Sequence, residues 1–224
     1  MSQIDQLLTE RHSVRCFTEK QLSEQQVRGL LASTNKTASG GNMQPWHAYV
    51  LAGKAKDQLV AAIDAEIASG KTQDENGGSS YPEKLKSPYR ERRFECGMAL
   101  YEALNISRED KEKRKAQWQE NYKFFGAPVG LIFTMDEQMG AAQYIDLGIY
   151  LQTLMLLAQE AGLSTCAQRS WSSWPTTCAN VLNLPQEQSV IVGMALGYSD
   201  TNAPINQYRV GRADIDEICQ FRGF

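Results

Sequence analysis

The sequence contains only two histidines, His12 and His47, and neither belongs to an H-E-x-x-H motif. A histidine-rich metal site is therefore not expected. The sequence also lacks a G-x-S-x-G nucleophile motif, a G-x-x-x-x-G-K-S/T phosphate loop and a G-x-G-x-x-G motif after a strand. These absences argue against an α/β-type serine hydrolase, a standard nucleotide triphosphatase and a Rossmann-type dinucleotide fold.

A surplus of basic residues and a long apolar run are also absent. The formal net charge is -3, so no bulk attraction to nucleic acid or to anionic membranes is expected. No stretch approaches the roughly 18 apolar residues of a membrane helix, and residues 1–10 lack the pattern of a secretory signal. The five cysteines are scattered singly, which favours reduced thiols. We therefore expect a cytoplasmic protein that binds neither nucleic acid nor membrane.

What the sequence does contain is an alternation of helical and strand patterns, with helices in the majority. Apolar residues make up 42% of the chain, and we expect a single domain over residues 1–224. Helices are predicted around residues 4–8, after a capping box formed by Ser23 and Gln26, and at residues 54–69, 91–104, 107–122, 138–161, 175–182 and 214–220. Strands are predicted at residues 47–51, 130–134, 164–168 and 189–197. The predicted fold is α+β with a central sheet.

The region of residues 70–122 is predicted to contain an excursion on the surface. Residues 70–88 are polar and include Gly77-Gly78-Ser79-Ser80, which is typical of either a mobile lid or a plain surface loop. Residues 84–93 carry several basic side chains. They form either a solvated face or a lid that meets an anionic substrate or the phosphate of NADPH.

Two basic segments far apart in the sequence predict an anion site. Arg11, Ser13 and Arg15 follow the first helix, and Arg209 and Arg212 lie in an irregular stretch near the C-terminus. Arginine presents a planar fork of donors that matches phosphate oxygens, and Ser13 adds a hydroxyl and a backbone N–H. Taken alone, each segment is also typical of a solvated surface.

A third segment, Ser39-Gly40-Gly41-Asn42-Met43-Gln44-Pro45-Trp46, combines glycines with amide side chains. Glycine lets the backbone approach a ligand closely, and the amides of Asn42 and Gln44 suit the mixed donor and acceptor edge of a pyrimidine-like ring. A simple tight turn is the alternative. We expect Trp46 to anchor the loop in the core rather than to stack on a ligand.

In this order the motifs resemble those of the nitroreductase family, and the resemblance covers nearly the whole chain. The family's R-x-S-x-R/K-x-F motif is matched by residues 11–17 and its N-x-Q-P-W motif by residues 42–46. The G-L-x-T end of a long helix is matched at residues 162–165, and G-x-x-L-G-Y at residues 193–198. Residues 70–122 resemble the larger insertion of relatives that act on nitrobenzoates and of the iodotyrosine deiodinase branch.

The resemblance implies a three-layer α/β/α fold with a central mixed sheet, in a domain-entwined homodimer with FMN at the interface. The residues that it implies in FMN binding are Arg11, His12, Ser13, Arg15, Ser39, Asn42, Gln44, Gln168, Arg169, Ser170, Arg209 and Arg212. Arg11, Ser13 and Arg212 would hold the phosphate and the ribityl chain. Arg15 would lie beside the pyrimidine side of the ring, where a positive charge stabilises the reduced anion.

The resemblance also implies that both subunits of the dimer contribute residues to the flavin site. Ser39 and Asn42 would come from the partner subunit, and Gln44 would line the site. The segment Ala167-Gln168-Arg169-Ser170 would pass flavin N5 and offer it a backbone N–H. Many relatives have Glu-Gly where this chain has Arg169-Ser170, so the side-chain environment there departs from the family pattern.

The function implied by the resemblance is a two-step oxidoreduction. NAD(P)H would reduce the flavin at N5, and a nitroaromatic or quinone would then take two electrons at the same place, in a ping-pong mechanism. No side chain is assigned as a catalytic acid, base or nucleophile. The alternatives are a reductive dehalogenase of halophenols or halotyrosines that uses Glu120, Tyr122 and Lys123, a flavin-binding protein without turnover, and a module that binds another phosphate ester.

Three residues near the implied N5 segment have two interpretations. Cys166 is expected to be a small buried apolar residue rather than a redox thiol. Trp171 and Trp174 are expected either to wall a substrate pocket or to pack in the core.

Overall fold

Four strands form one central sheet in the order β1-β2-β4-β3. The strands are β1 (His47–Ala52), β2 (Val129–Asp136), β3 (Ser164–Gln168) and β4 (Gln188–Gly197). The computed structural model describes residues 2–224, and within them every neighbouring pair of these strands is antiparallel. β2 and β4 occupy the centre of the sheet and are buried along almost their whole length. Burial on both faces explains why residues 189–197 form a continuous apolar run rather than an alternating one.

Eight helices surround the sheet in the described part of the chain. They are α1 (Gln3–Glu10), α2 (Glu24–Thr34), α3 (Gly53–Ala68), α4 (Tyr89–Ala103), α5 (Lys111–Gln119), α6 (Ala141–Glu160), α7 (Pro175–Leu182) and α8 (Ile215–Ile218). Short 3-10 segments occupy Gly40–Asn42, Glu120–Gly126, Arg169–Ser173 and Pro204–Asn206. Over residues 2–224, no helix combines the length and the apolar character that crossing a bilayer requires.

Two apolar cores lie on opposite faces of the sheet, so the three layers of the predicted fold are confirmed. One core includes Leu59 and Ile63 of α3 and Cys178 of α7. The other includes Leu30 of α2 and Leu154 of α6. α2, α3 and α6 each bury an apolar stripe, as expected when residues three and four apart share a helical face. α1, α4, α5 and α8 contain no buried residue.

The predicted helix boundaries are explained by their caps. Ser23 accepts from the backbone N–H of Gln26 while the Gln26 side chain accepts from the backbone of Ser23, so the predicted capping box is confirmed. Gly162 follows α6 with a φ of +70°, and the N–H of Leu163 donates to the Ala158 carbonyl at 2.8 Å. A residue with positive φ at this place favours glycine, which ends α6 as the sequence predicts.

The sheet itself differs from the expectation of a mixed sheet. In residues 2–224, parallel pairing is confined to a single bridge between Ser13 and Thr165. Ser13 forms an isolated bridge and not a strand, and Phe17 further along is buried in the core. The bridge is nevertheless important, since it fixes the first basic segment against β3.

The predicted helix at residues 107–122 is too long at both ends, since α5 begins only at Lys111. α5 ends at Gln119, and the chain continues as a 3-10 segment in which Phe124 and Phe125 have φ values of 51° and 54°. This turn places Tyr122, Phe124 and Phe125 in the core. Burial of three aromatic rings outweighs the local preference for a longer helix.

The polar stretch of residues 70–88 is partly fastened to the body of the protein. The backbone N–H groups of Asp74 and Gly78 donate to the carbonyls of Ser173 and Ser172, each at 2.9 Å. The buried Asp74 carboxylate accepts from the backbone N–H and the hydroxyl of Thr177 at 2.9 and 3.0 Å. The start of this stretch is therefore a docked surface loop and not a free lid.

Close packing of β4 against Trp171 gives a first testable prediction. A Cβ atom at Gly193 would lie 2.1 Å from Trp171 Cδ1, and Trp171 is held by stacking on Phe124 with ring centroids 4.5 Å apart. We expect Gly193→Ala to lower the free energy of unfolding by about 3 kcal/mol, because neither ring has room to shift. Urea denaturation followed by circular dichroism measures this change.

The matched control is Gly29→Ala in α2, where a Cβ atom would meet nothing within 4 Å. Because alanine favours a helix over glycine, this variant should gain up to about 1 kcal/mol. Equal stability of the two variants would show that the Trp171 ring does not exclude a side chain at position 193 of β4.

Candidate functional site

A cavity of about 940 Å³ opens between the N-terminal basic segment and the C-terminal tail. Its lining consists of Leu8, Thr9, Arg11, His12, Ser13, Arg15, Cys96, Gln152, Tyr208, Arg209, Val210 and Arg212. Four of these residues are arginines, and no lining residue carries a carboxylate. Because the chain as a whole has a net charge of -3, the positive charge is a local feature of this cavity. Such a lining favours an anionic ligand.

Backbone pairing positions the residues after α1. Arg11 ends the helix, and its N–H donates to the Leu7 carbonyl at 2.9 Å. The chain then becomes extended, and the N–H of Val14 donates to the Thr165 carbonyl of β3 at 3.1 Å. Successive side chains of extended backbone point to opposite sides. Val14 is therefore buried in the core, while Ser13 and Arg15 line the cavity.

Arg11 and His12 lack partners for atoms that are buried. Arg11 Nε and His12 Nε2 make no hydrogen bond within residues 2–224. Burial lowers the pKa of Arg11, and the nearby Arg212 lowers it further. Burial also lowers the pKa of His12, and the positive charges of Arg209 and Arg11 act in the same direction. An anion in the cavity would relieve this repulsion.

Asn206 joins the C-terminal tail to the first basic segment. Its side chain is 3% exposed. The Oδ1 atom accepts from the Arg15 N–H at 2.8 Å, and Nδ2 donates to the carbonyls of Cys16 and Asp200 at 2.7 and 2.9 Å. One buried amide thus satisfies three backbone groups from two chain segments. This arrangement brings Arg209 and Arg212 next to Arg11.

Arg15 has a neutral partner within the cavity. Its Nη1 donates to the Tyr208 hydroxyl at 2.6 Å and to the Ser13 carbonyl at 3.4 Å. Burial raises the pKa of Tyr208, whereas the charge of Arg15 lowers it. No carboxylate of residues 2–224 forms an ion pair with Arg15. The positive charge of Arg15 is therefore held in place without being neutralised.

The loop of residues 39–46 lies outside this cavity. The Gly40 N–H donates to the buried carboxylate of Asp146 in α6 at 3.0 Å. Ser39 Oγ accepts from the Gln44 N–H at 3.0 Å, and Gln44 Nε2 donates to Asn42 Oδ1 at 3.2 Å. Asn42 and Gln44 are exposed. Within one chain, Ser39, Asn42 and Gln44 therefore do not meet the basic residues.

Trp46 anchors this loop, as the sequence predicts. It is 8% exposed, and its ring lies 4.5 Å from the ring of Tyr150, measured between centroids. The indole Nε1 donates to Asn35 Oδ1 at 3.4 Å. The rigid anchor fixes the exposed amides that precede it.

The segment of residues 167–170 continues from the strand that pairs with Ser13. Gln168 and Ser170 are buried, and Gln168 Nε2 donates to the Asn121 carbonyl at 2.5 Å. Arg169 Nη1 donates to the Ile191 carbonyl of β4 at 2.8 Å. None of these three residues lines the cavity. The bridge between Ser13 and Thr165 nevertheless fixes the start of β3 beside the basic segment.

Several neighbouring residues belong to the core. Trp171 and Trp174 are 0% exposed, so both pack in the core and neither walls a pocket. Cys166 is buried as expected, and burial raises the pKa of its thiol. Tyr122 is also 0% exposed. Glu120, Tyr122 and Lys123 are therefore not arranged to bind a zwitterion, since Lys123 Nζ is paired with Glu120 at 2.8 Å.

Three polar residues of this region were not predicted as site residues. Asn206 and Tyr208 lie in a stretch that reads as irregular tail, and Asp146 lies on the long helix α6. The only sequence signal is that Tyr208 immediately precedes Arg209 and that Asn206 lies three positions before it. Their roles depend on contacts with residues about 190 positions away, which no local pattern reveals.

Comparisons with known proteins identify relatives of this chain. A model of the nitroreductase family matches residues 8–198. The chain is 35% identical to nitrobenzene nitroreductase from Ectopseudomonas oleovorans, over 97% of this chain and 96% of that protein. It is 35% identical to 4-nitrobenzoate reductase from Nocardioides sp. (strain LMS-CY), over 97% of this chain and 89% of that protein. The FMN and NADPH-dependent nitroreductase NfnB from Sphigopyxis sp. strain HMH superposes with a TM-score of 0.96, at 37% identity and with 100% of both chains covered.

Proposed function

The chain belongs to the nitroreductase family, and on that premise we propose that it is an FMN-dependent oxidoreductase. It passes two electrons from NADPH to nitroaromatic compounds. The observation that carries this proposal is the cavity lined by four arginines and no carboxylate. A phosphate group is the anion that such forked donors bind best.

The residues of the cavity fit the phosphate end of FMN. Arg11 has a buried Nε without a partner and is repelled by Arg212, so both side chains are suited to share the charge of one phosphate. Ser13 adds a hydroxyl beside them, Arg209 adds a further positive charge, and His12 adds a ring nitrogen without a partner among the described residues. We assign Arg11, Ser13 and Arg212 to the phosphate and the ribityl chain.

The ring of the cofactor would extend from this phosphate site past Arg15 towards the end of β3. Arg15 lies along this direction, and its positive charge has no carboxylate partner among the described residues. Ala167 is exposed between the buried residues Cys166 and Gln168, which leaves room at this edge for a flat ring. We assign Gln168, Arg169 and Ser170 to the surroundings of the ring. When bound, FMN supplies the two-electron chemistry itself, so the protein needs to bind, orient and polarise it.

No acid, base or nucleophile is required of the protein in this scheme. NADPH and the nitro compound would occupy the same place in turn, in a ping-pong mechanism. Both nitrobenzene nitroreductase and 4-nitrobenzoate reductase are relatives. We therefore expect mononuclear nitroaromatics as acceptors and treat quinones as a second class.

An anaerobic visible spectrum of the purified protein tests this function. We expect flavin absorption that is bleached by NADPH and restored by nitrobenzene or 4-nitrobenzoate. A colourless protein that does not take up FMN would refute the proposal. Bound flavin that NADPH does not bleach would indicate a binding protein without turnover. Iodotyrosine serves as the comparison substrate, and we expect it to leave the reduced flavin unchanged because Tyr122 is buried.

We further propose that the working form is a homodimer. The chain exposes 13631 Å², whereas a compact monomer of this length exposes about 10,000 Å². Three exposed large apolar side chains lie together on α6, where Tyr144, Ile145 and Ile149 are 49%, 66% and 44% exposed. An apolar stripe of this kind on a long helix is typical of a permanent interface.

The dimer would also complete the flavin site. Ser39 and Asn42 lie outside the cavity of their own chain, in a loop fastened to α6 by Asp146. A partner that packs on α6 would bring this loop to the neighbouring cavity. We therefore assign Ser39, Asn42 and Gln44 to the flavin site across the interface.

All five cysteines are free, which accords with the reducing cytoplasm where we expect the protein to work.

A charge on the exposed stripe of α6 should separate the subunits. We expect Ile145→Asp to sediment as a monomer and to lose most of its FMN, because a carboxylate cannot be buried against a second apolar stripe. Sedimentation velocity and the absorbance ratio of flavin to protein measure the two effects.

The control is Ala65→Asp, which adds the same charge at an exposed position of α3. It should leave both the mass and the flavin content unchanged. A dimeric Ile145→Asp variant would show that the interface lies elsewhere.

A further inference from the structure

Tyr208 lies in the cavity and contacts the residue assigned to the flavin ring. Its hydroxyl accepts from Arg15 Nη1 at 2.6 Å, while the other side-chain bond of Arg15, to the Ser13 carbonyl, is 3.4 Å long. The short bond is the stronger one. Removal of the phenol oxygen would therefore leave the guanidinium free to turn away from its present position.

We propose that Tyr208 is a positioning residue, whose hydroxyl holds the charged guanidinium of Arg15 against the pyrimidine side of FMN and so favours the reduced cofactor. This inference rests on the proposed function and goes beyond it, because it assigns the tuning of the flavin to a residue of the C-terminal tail.

A phenol suits this task better than a carboxylate would. A carboxylate would hold Arg15 equally well but would cancel its charge. Burial raises the pKa of Tyr208 despite the opposing effect of Arg15, so the phenol stays neutral at physiological pH. The pair therefore keeps a full positive charge, which stabilises the negative charge that the ring gains on reduction.

The hydrogen-bond inventory of Tyr208 points in the same direction. Its oxygen accepts from Arg15, and no residue among 2–224 accepts its own proton. Among the described residues, Arg15 is therefore the one hydrogen-bond partner of this hydroxyl.

The midpoint potential of bound FMN tests the proposal. We expect Tyr208→Phe to weaken the binding of reduced FMN about tenfold relative to oxidised FMN, which lowers the two-electron potential by about 30 mV. Binding of oxidised FMN should change less than about threefold. Dye equilibration under anaerobic conditions measures the potential, and quenching of flavin fluorescence measures the affinity.

Tyr49→Phe is the matched control. The Tyr49 hydroxyl also makes one side-chain hydrogen bond, to Gln188 at 2.9 Å, but it lies outside the cavity. Its loss should leave the potential unchanged. A shift of the same size in both variants would overturn the assignment, because it would show a general effect of lost stability.

A double-mutant cycle tests whether Tyr208 acts through Arg15. In an Arg15→Gln background the positive charge is gone, so Tyr208→Phe should cause no further shift of the potential. An equal shift in both backgrounds, or none in the wild-type background, would overturn the proposal. If Tyr208→Phe fails to retain flavin, Tyr208→Gln replaces it, because its amide oxygen can still accept from Arg15. A glutamine variant should keep the wild-type potential, and a lowered potential would overturn the proposal.

The outcome is distinguishable from failure of the proposed function. A wild-type protein that binds FMN and reduces nitrobenzene with NADPH upholds the function whatever Tyr208→Phe shows. A wild-type protein that binds no FMN refutes the function and this inference together.

Discussion

Arg11→Ala is expected to weaken FMN binding about a hundredfold while leaving the apoprotein at least as stable as the wild type. The guanidinium of Arg11 has a buried Nε without a partner and is repelled by Arg212. Without an anion it contributes little to folding, because a desolvated charge without a counter-ion is unfavourable. With a phosphate in the cavity it gains charged hydrogen bonds worth about 3 kcal/mol, or roughly a hundredfold in Kd.

The two effects of Arg11→Ala separate a ligand-binding role from a structural one. Fluorescence titration of the apoprotein with FMN measures Kd, and urea denaturation without FMN measures stability. Arg28→Ala is the control, since Arg28 is exposed on α2 and is paired only with Glu24. It should change neither quantity. An Arg11→Ala apoprotein that loses several kcal/mol of stability, or that binds FMN normally, would contradict this role.

Asn206→Leu is expected to lower the free energy of unfolding by about 3 kcal/mol, because it removes three hydrogen bonds to backbone groups and keeps a branched side chain with the same number of non-hydrogen atoms. The Arg15 N–H and the carbonyls of Cys16 and Asp200 would all lose their partner. A buried backbone group without a partner costs about 1–3 kcal/mol. For a chain of this size the change corresponds to a fall in Tm of roughly 6–12 °C.

Asn206→Leu should also reduce FMN affinity, since the tail that carries Arg209 and Arg212 would no longer be fixed to the first basic segment. Thermal denaturation and FMN titration measure the two effects on one preparation. Asn202→Leu is the control in the same tail, because Asn202 is exposed. Its stability should lie within about 0.5 kcal/mol of the wild type. Equal effects of the two substitutions would show that Asn206 does not hold the tail.

The local elements of the fold were predictable because their signals are short-range. β3 and α7 occupy the predicted residues, and the Ser23 capping box and Gly162 mark the ends of α2 and α6. Hydrophobic periodicity does not encode strand direction, so the antiparallel pairing of the strands could be established only from the structure. The early end of α5 was missed for a similar reason. It depends on the burial of Phe124 and Phe125 against distant side chains.

The candidate site also combines residues that local sequence signals reveal with residues that only the fold brings together. The arginines were singled out because clustered guanidinium groups are a chemical signal that needs no coordinates, and the structure brings them around one cavity. Asn206 and Tyr208 carry no such signal. An asparagine or a tyrosine in a polar tail is ordinary until folding places it beside Arg15. Residues 39–46 were singled out by composition, but only the fold shows that they lie outside their own chain's cavity.

The central claim is that the arginine-rich cavity binds the phosphate of FMN. Titration of the apoprotein with FMN and with riboflavin, which has the same ring but no phosphate, tests this claim most directly. We expect FMN to bind at least about a hundredfold more tightly, in line with the loss of a phosphate held by charged hydrogen bonds. Equal affinities for the two flavins would contradict the account, because they would show that the four arginines gain no binding energy from the phosphate.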